Sequence, residues 1–185
     1  MRIVGGVLRG RALSGPRSQA IRPTSERLRE SVFDILAHRL GDPVSNANVI
    51  DLFAGAGALG LEALSRGAAR ALFVDDGAEA RALLRANIEA LGLGGVTRIF
   101  RRDATKLGAA PAGDKFSLAF LDPPYGKHLA TPALAALIDG GWLMPGAVVV
   151  IEESAKERID LPPGLSREDE RRYGDTQFVF ARYVQ

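Results

Sequence analysis

Between an apolar run at 49–53 and a helix-forming run from residue 58, the chain reads Asp51-Leu52-Phe53-Ala54-Gly55-Ala56-Gly57-Ala58-Leu59-Gly60. Glycines spaced G-x-G-x-x-G where a strand meets a helix let the backbone turn tightly and approach a ligand closely, and they leave free N–H groups at the helix start. The pattern around this turn repeats. Apolar strands are predicted at 49–53, 71–74, 96–101, 116–121 and 147–151, with helices over 58–66, 78–91 and 130–139 among them. Short apolar strands alternating with helices give an α/β fold whose mostly parallel sheet is covered on both faces. Segments 166–172 and 176–184 have only Tyr173-Gly174-Asp175 between them and are expected to finish a seven-stranded sheet as an antiparallel hairpin.

Ahead of this body lies a basic opening. Residues 1–30 hold seven arginines against Glu26 and Glu30, a net charge of +5, while the rest of the chain carries −3. Residues 2–13 (RIVGGVLRGRAL) alternate apolar and basic positions around glycine breaks and suit a small β-hairpin with arginines on its open face. We divide the chain into a basic arm at 1–22 and a main domain at 23–185. Pro23-Thr24-Ser25 starts a helix with a hydroxyl cap, and Leu28, Val32, Phe33, Ile35 and Leu36 form its apolar face. A basic arm on a mildly acidic body is the layout of a protein that meets phosphate with one end. With no cysteine and two histidines, thiolate sites are excluded and no metal is expected. No run approaches the ~20 apolar residues of a membrane span, so the expectation is a soluble, cytoplasmic monomer that binds no membrane.

Acidic residues mark the ends of successive strands. Asp75 lies twenty positions after Gly55, where a ribose-binding carboxylate belongs, with Asp76 beside it. Asp51 sits on the strand before the glycines, where it would repel a dinucleotide pyrophosphate. S-adenosylmethionine carries no phosphate, and its amino group and sulfonium are cationic, so a carboxylate favours it. Asp103, followed by Ala104, ends the third strand and can accept from an adenine amine while the neighbouring N–H donates to the ring.

The fourth strand runs into Leu121-Asp122-Pro123-Pro124-Tyr125-Gly126-Lys127. Two prolines remove two donors and stiffen the turn. The Asp122 carboxylate and the Pro123 carbonyl can each accept one N–H of an aryl amine, which fixes its nitrogen towards a methyl donor. Tyr125 offers a face on which an extruded base can stack. An ordinary aspartate, with pKa ~3.9, is a poor base for a neutral amine, so positioning is expected to carry most of the catalysis.

With RIVGGVLRGRAL, Arg22-Pro23-Thr24, Arg27, Arg29-Glu30, Phe33, the stretch 51–68 (DLFAGAGALGLEALSRGA) and the stretch 121–127 (LDPPYGK), the chain closely resembles the RsmD-type family of bacterial 16S rRNA guanine-N2 methyltransferases over nearly its whole length. The resemblance implies a Rossmann-like methyltransferase fold that uses S-adenosyl-L-methionine and releases S-adenosyl-L-homocysteine. It implies cofactor contacts at Asp51, Phe53, Ala54, Gly55, Gly57, Leu59, Gly60, Asp75, Asp76, Asp103, Ala104, Asp122 and Thr24, and catalysis at Asp122, Pro123 and Tyr125. The implied substrate is one guanine of 16S rRNA in the assembled or assembling small ribosomal subunit. Arg9, Arg11, Arg22, Arg27 and Arg29 are candidates for phosphate contacts, with Lys127 beside the target base. Two departures stand out. Gly77 occupies the place where relatives often carry a second acid, which leaves Asp75 and Asp76 as alternatives. Relatives also use Phe at Tyr125, so its ring is expected to matter and its hydroxyl to be dispensable.

Three competing activities fit parts of the pattern. Adenine-N6 methylation in DNA or RNA uses the same turn, but no separate target-recognition domain is visible. Glutamine methylation normally opens the turn with Asn, and a nicotinamide oxidoreductase is opposed by Asp51 and the Asp-Pro-Pro-Tyr turn. Trp142 is read as core, 167–172 as an exposed strand of mixed charge, and His128 as a loop histidine. Arg27 and Arg29 point to different sides of a helix, so one is expected to pair with Glu26 or Glu30. Asn87 is read as a helix-face or cap residue with no chemistry assigned.

Overall fold

Runs dense in Val, Ile, Leu and Phe make strands that can be buried on both faces. In the computed structural model, which describes residues 1–17 and 24–185, they form one seven-stranded sheet. Strands β1 (Asn48–Leu52), β2 (Arg70–Val74), β3 (Thr97–Phe100), β4 (Phe116–Leu121) and β5 (Leu143–Ser154) run parallel. Strands β6 (Leu165–Tyr173) and β7 (Thr176–Tyr183) join as an antiparallel hairpin, which gives the order β3-β2-β1-β4-β5-β7-β6. This is the sheet expected from the sequence.

Helices α1 (Glu26–Arg39), α2 (Ala58–Ser65) and α3 (Ala78–Leu91) cover one face, where Phe33, Leu61 and Leu84 pack on Phe73 and Phe120. Helix α4 (Ala130–Asp139) covers the other with Trp142, which is fully buried as expected and donates to the Gly108 carbonyl at 2.9 Å. Among the described residues, no helix is long and apolar enough to cross a membrane. Of the boundaries that differ from expectation, two lie at the site. β1 ends one residue early, at Leu52, because Phe53 adopts φ +57°. β5 runs on past Ile151 to Ser154 and carries Glu152 and Glu153 with it.

Helix α1 begins with Ser25, whose Oγ accepts from Leu28 N at 3.2 Å, a side-chain cap for one of the helix's unpaired donors. Val32, Phe33, Ile35 and Leu36 face inward, and so does Arg29. That corrects one expectation. Arg29 is fully buried and no phosphate ligand: its Nε donates to Glu62 at 3.2 Å and its Nη2 donates to the Arg2 carbonyl. Neither acid of its own helix is its partner; Glu26 pairs instead with Arg2, at 3.4 Å on the surface.

The basic opening closes on itself through the Arg2–Ala12 bridge, as a hairpin should, but it is anchored to the body at several points. Ile3 and Leu13 are buried in the core. Val4 N and Gly5 N donate to the two Glu62 oxygens at 2.9 and 2.8 Å, and Val7 N donates to the Ser65 carbonyl at 2.8 Å. Arg11 donates to the Ala90 carbonyl at 2.7 Å. Glu62 also takes Arg66 Nε at 2.9 Å, so a carboxylate with no solvent contact has a full set of donors. Burying an ion pair gains little by itself, but removing one partner leaves the other charge unpaired. Glu62→Ala should therefore lower unfolding free energy by about 3–5 kcal/mol, measured by urea denaturation. A loss below 1 kcal/mol would show that Arg29 finds water without it.

Candidate active site

The carboxyl ends of β1, β2, β4 and β5 open into a cleft of about 630 Å³, the position where open α/β sheets bind ligands. Its lining brings together Thr24, Asp51, Phe53, Ala54, Gly55, Leu59, Asp75, Asp76, Asp122, Pro123, Tyr125 and Lys127 from the sequence-derived set. Arg9, Arg11 and Arg27 are exposed outside it, and Arg22 lies outside the described residues.

The glycine turn divides its labour. Gly55 faces the cleft, and its N–H donates to Asp75 Oδ2 at 2.9 Å. Gly57 and Gly60 do not line it. A Cβ on Gly57 (φ +85°) would stand 2.4 Å from Leu84, and one on Gly60 would stand 2.4 Å from the Phe73 ring. These two glycines let α2 lie close on the sheet and the neighbouring helix.

Asp51 lies under the start of α2 and accepts the Gly60 N–H at 3.0 Å. Burial pushes its carboxyl up to about 8, against the Gly60 hydrogen bond and with help from the charge of Asp75. Asp75 takes Gly77 N at 2.8 Å on its other oxygen, and Asp76 is exposed beside it at the rim. Asp103 and Ala104 follow β3 as expected but stay outside the cleft. Asp103 turns onto Thr105 Oγ1 and N, at 2.7 and 2.8 Å, and these bonds hold its carboxyl below the usual range. Ala104 is buried in the opposite core.

The Asp-Pro-Pro-Tyr turn leaves β4 with Asp122 N donating to the Leu52 carbonyl at 3.4 Å. The Asp122 carboxyl is raised well above the ordinary range, first by burial and then by the charges of Glu152 and Asp51. Thr24 Oγ1 donates to Glu152 Oε2 at 2.6 Å and stands 3.4 Å from Asp122 Oδ2, so one hydroxyl sits between two acids. Tyr125 OH donates to Glu152 Oε1 at 3.1 Å and shares a 2.8 Å bond with Thr176 Oγ1. The hydroxyl, expected to be dispensable, thus holds two hydrogen bonds that orient the ring. Glu153, next along β5, accepts from Ser154 N at 2.7 Å, and burial raises its carboxyl.

Glu152 is a lining residue outside the set expected from the sequence. The signal existed, because Glu152-Glu153 comes at the carboxyl end of an apolar strand just as Asp51 and Asp75 do, but the expected strand stops at Ile151, three residues short of Ser154. Met1 and Pro16, the two ends of the opening hairpin, also line the cleft and were not foreseen.

A family model described as conserved hypothetical protein 95 matches residues 1–182. The ribosomal RNA small subunit methyltransferase D of Escherichia coli K12 is 37% identical over 164 residues, covering 88% of this chain and 79% of its own length. The chain belongs to the RsmD family. The Haemophilus influenzae RsmD of the same name is 30% identical, with 88% and 83% covered. The solved structure of yhhF from Escherichia coli aligns over 100% of this chain and 98% of its own, at 31% identity and a TM-score of 0.83. Resemblance to RsmD therefore spans the arm, the glycine turn and the Asp-Pro-Pro-Tyr turn together.

Raised carboxyl groups tie the fold to pH. Asp51 binds its proton more tightly in the folded chain, near 8, than an unfolded aspartate does near 3.8. Its contribution to stability is full below about pH 4, is lost as pH rises towards 8, and is flat above. Urea unfolding between pH 5 and 8 should show stability falling by up to ~1.4 kcal/mol per pH unit from this group, and Asp51→Asn should remove that component. An unchanged slope in the variant would assign the effect to other acids.

Proposed function

We propose that the chain transfers a methyl group from S-adenosyl-L-methionine to the exocyclic N2 amine of a guanine in 16S rRNA. Membership of a family whose named relatives are small-subunit rRNA methyltransferases supports this reading. The observation that carries it is the cleft in which Asp51 and Asp122 lie beside the Asp-Pro-Pro-Tyr turn, with their carboxyls raised by burial.

The donor set fits this cofactor. Acids that are costly to ionise in a desolvated cleft gain from a cationic ligand and would repel a pyrophosphate. Asp51, Phe53, Ala54, Gly55 and Leu59 would hold the amino-acid and sulfonium part, Asp75 or Asp76 the ribose hydroxyls, and Thr24 and Asp122 the methyl-donor end. Asp103 remains the acceptor for the adenine amine beyond the cleft. When bound, S-adenosylmethionine supplies an electrophilic methyl on sulfur.

Asp122 and the Pro123 carbonyl accept the two N–H bonds of the target amine and set its nitrogen. Tyr125, its ring held by Glu152 and Thr176, is the stacking face for the extruded base. Asp122 takes the proton that the nitrogen sheds as the new bond forms. A raised carboxyl suits it to that task better than an ordinary aspartate would be. Arg9, Arg11, Arg22 and Arg27 contact phosphate on the small subunit, and Lys127 sits beside the base.

Small subunits or naked 16S rRNA, incubated with the protein and labelled cofactor and then mapped for the modified base, test the reading. Label on an adenine would favour the N6 alternative. Asp122→Ala should abolish transfer while leaving S-adenosylmethionine affinity within a few-fold, by calorimetry; near-normal transfer would overturn the mechanism. Replacing Arg9 and Arg11 with Ala should weaken RNA binding and lower its log–log salt slope by about one to two, with cofactor affinity intact. An unaltered slope would remove the arm from the RNA contact.

A further inference from the structure

Asn87 of α3 is almost completely buried, and among the described residues all its hydrogen bonds go to backbone. Its Oδ1 accepts from Ser14 N at 2.7 Å, and its Nδ2 donates to the Ser14 carbonyl at 3.0 Å and to the Ala56 carbonyl at 2.9 Å. Reversing the amide would face an N–H to an N–H and an oxygen to two carbonyls, so the partners fix its orientation. Ala56 lies between the two central glycines of the turn and lines the cleft. Ser14 lies where the opening hairpin returns to the body. Leu13, just before it, donates from its N–H to the Met1 carbonyl at 2.8 Å, and both Met1 and Pro16 line the same cleft.

One side chain therefore holds the cofactor turn and the arm at once. We propose that Asn87 is a positioning residue that couples them, so that filling the cofactor cleft steadies the arm and a steadied arm favours the filled cleft. The proposal rests on the cofactor reading above and extends it. The glycine turn has little side-chain packing at Gly55 and Ala56 to hold its shape, and a buried amide spanning the gap supplies what small residues cannot. Coupling of this kind is reciprocal: whatever factor the cofactor exerts on the arm, the arm exerts on the cofactor. Glu62 anchors the same hairpin from α2 but makes no bond to the turn among those described, so the two anchors are separable.

The test is amide hydrogen exchange with and without S-adenosylhomocysteine, read at Ile3, Gly10 and Arg11. Their bonds, to the carbonyls of Arg11, Ile3 and Leu8, lie within the hairpin. In the wild-type chain the ligand should slow exchange there by about fivefold or more. In Asn87→Ala the slowing should vanish, and ligand affinity should drop about tenfold. Asn87→Asp keeps the acceptor for Ser14 N and loses both donors, so it should keep the arm docked while losing the response, which covers the case where the alanine variant does not fold. A response preserved in either variant, or ligand binding to the wild type with no response in the arm, would overturn the proposal alone. Failure of the wild type to bind the ligand at all would overturn the cofactor reading, and the proposal with it.

Discussion

The carboxylate of Glu62 is the contact on which the rest of this architecture turns. It sits in the middle of a short helix that starts at the cleft, and it gathers donors from the opening hairpin, from α1 and from its own last turn. Each donor would be costly to bury alone. Together they satisfy one another, and three segments far apart in sequence are brought to one point. Because α2 also carries the glycine turn on its N-terminal side, an error in docking the hairpin is an error in the cleft wall.

The second organising fact is a concentration of acids where the dielectric is low. Asp51, Asp122 and Glu152 stand on or just after three strands and face one cleft, and the charges of Glu152 and Asp51 add to burial in raising the cost of ionising Asp122. For the cationic cofactor proposed above, this cost would favour binding of positive charge. In the proposed mechanism the same crowding suits Asp122 to accept a proton, so ligand selection and catalysis would draw on one cause.

Much of this was legible in advance, for identifiable reasons. Strand and helix patterns are local, so the parallel core, α3 and α4 and the closing hairpin follow from periodicity and turn residues. Asp51, Asp122 and Tyr125 were legible because strand ends on one edge of a parallel sheet must converge. Arg29 was not, because its burial depends on Glu62, thirty-three residues away. Nothing in a run of arginines says which one meets a carboxylate in the core. Gly57 and Gly60 share a motif with Gly55, yet their surroundings assign them to packing against Leu84 and Phe73. Asp103 follows the edge strand β3 and bonds to Thr105, so it stands apart from the acids that converge on the cleft.

Arg11 reaches the Ala90 carbonyl near the end of α3, whereas the first residues of that helix line the cleft. Twelve residues of helix separate the two, roughly 18 Å at 1.5 Å per residue. On the proposed reading, the molecule carries a ruler with a phosphate-contacting mark at one end and a base-binding notch at the other. A flexible strand could touch either mark, but holding both would cost it the entropy of a fixed span. An RNA already folded so that a backbone stretch and an accessible guanine lie that far apart has met this cost beforehand. Discrimination among guanines can then reside in the shape of the substrate rather than in the bases around the target.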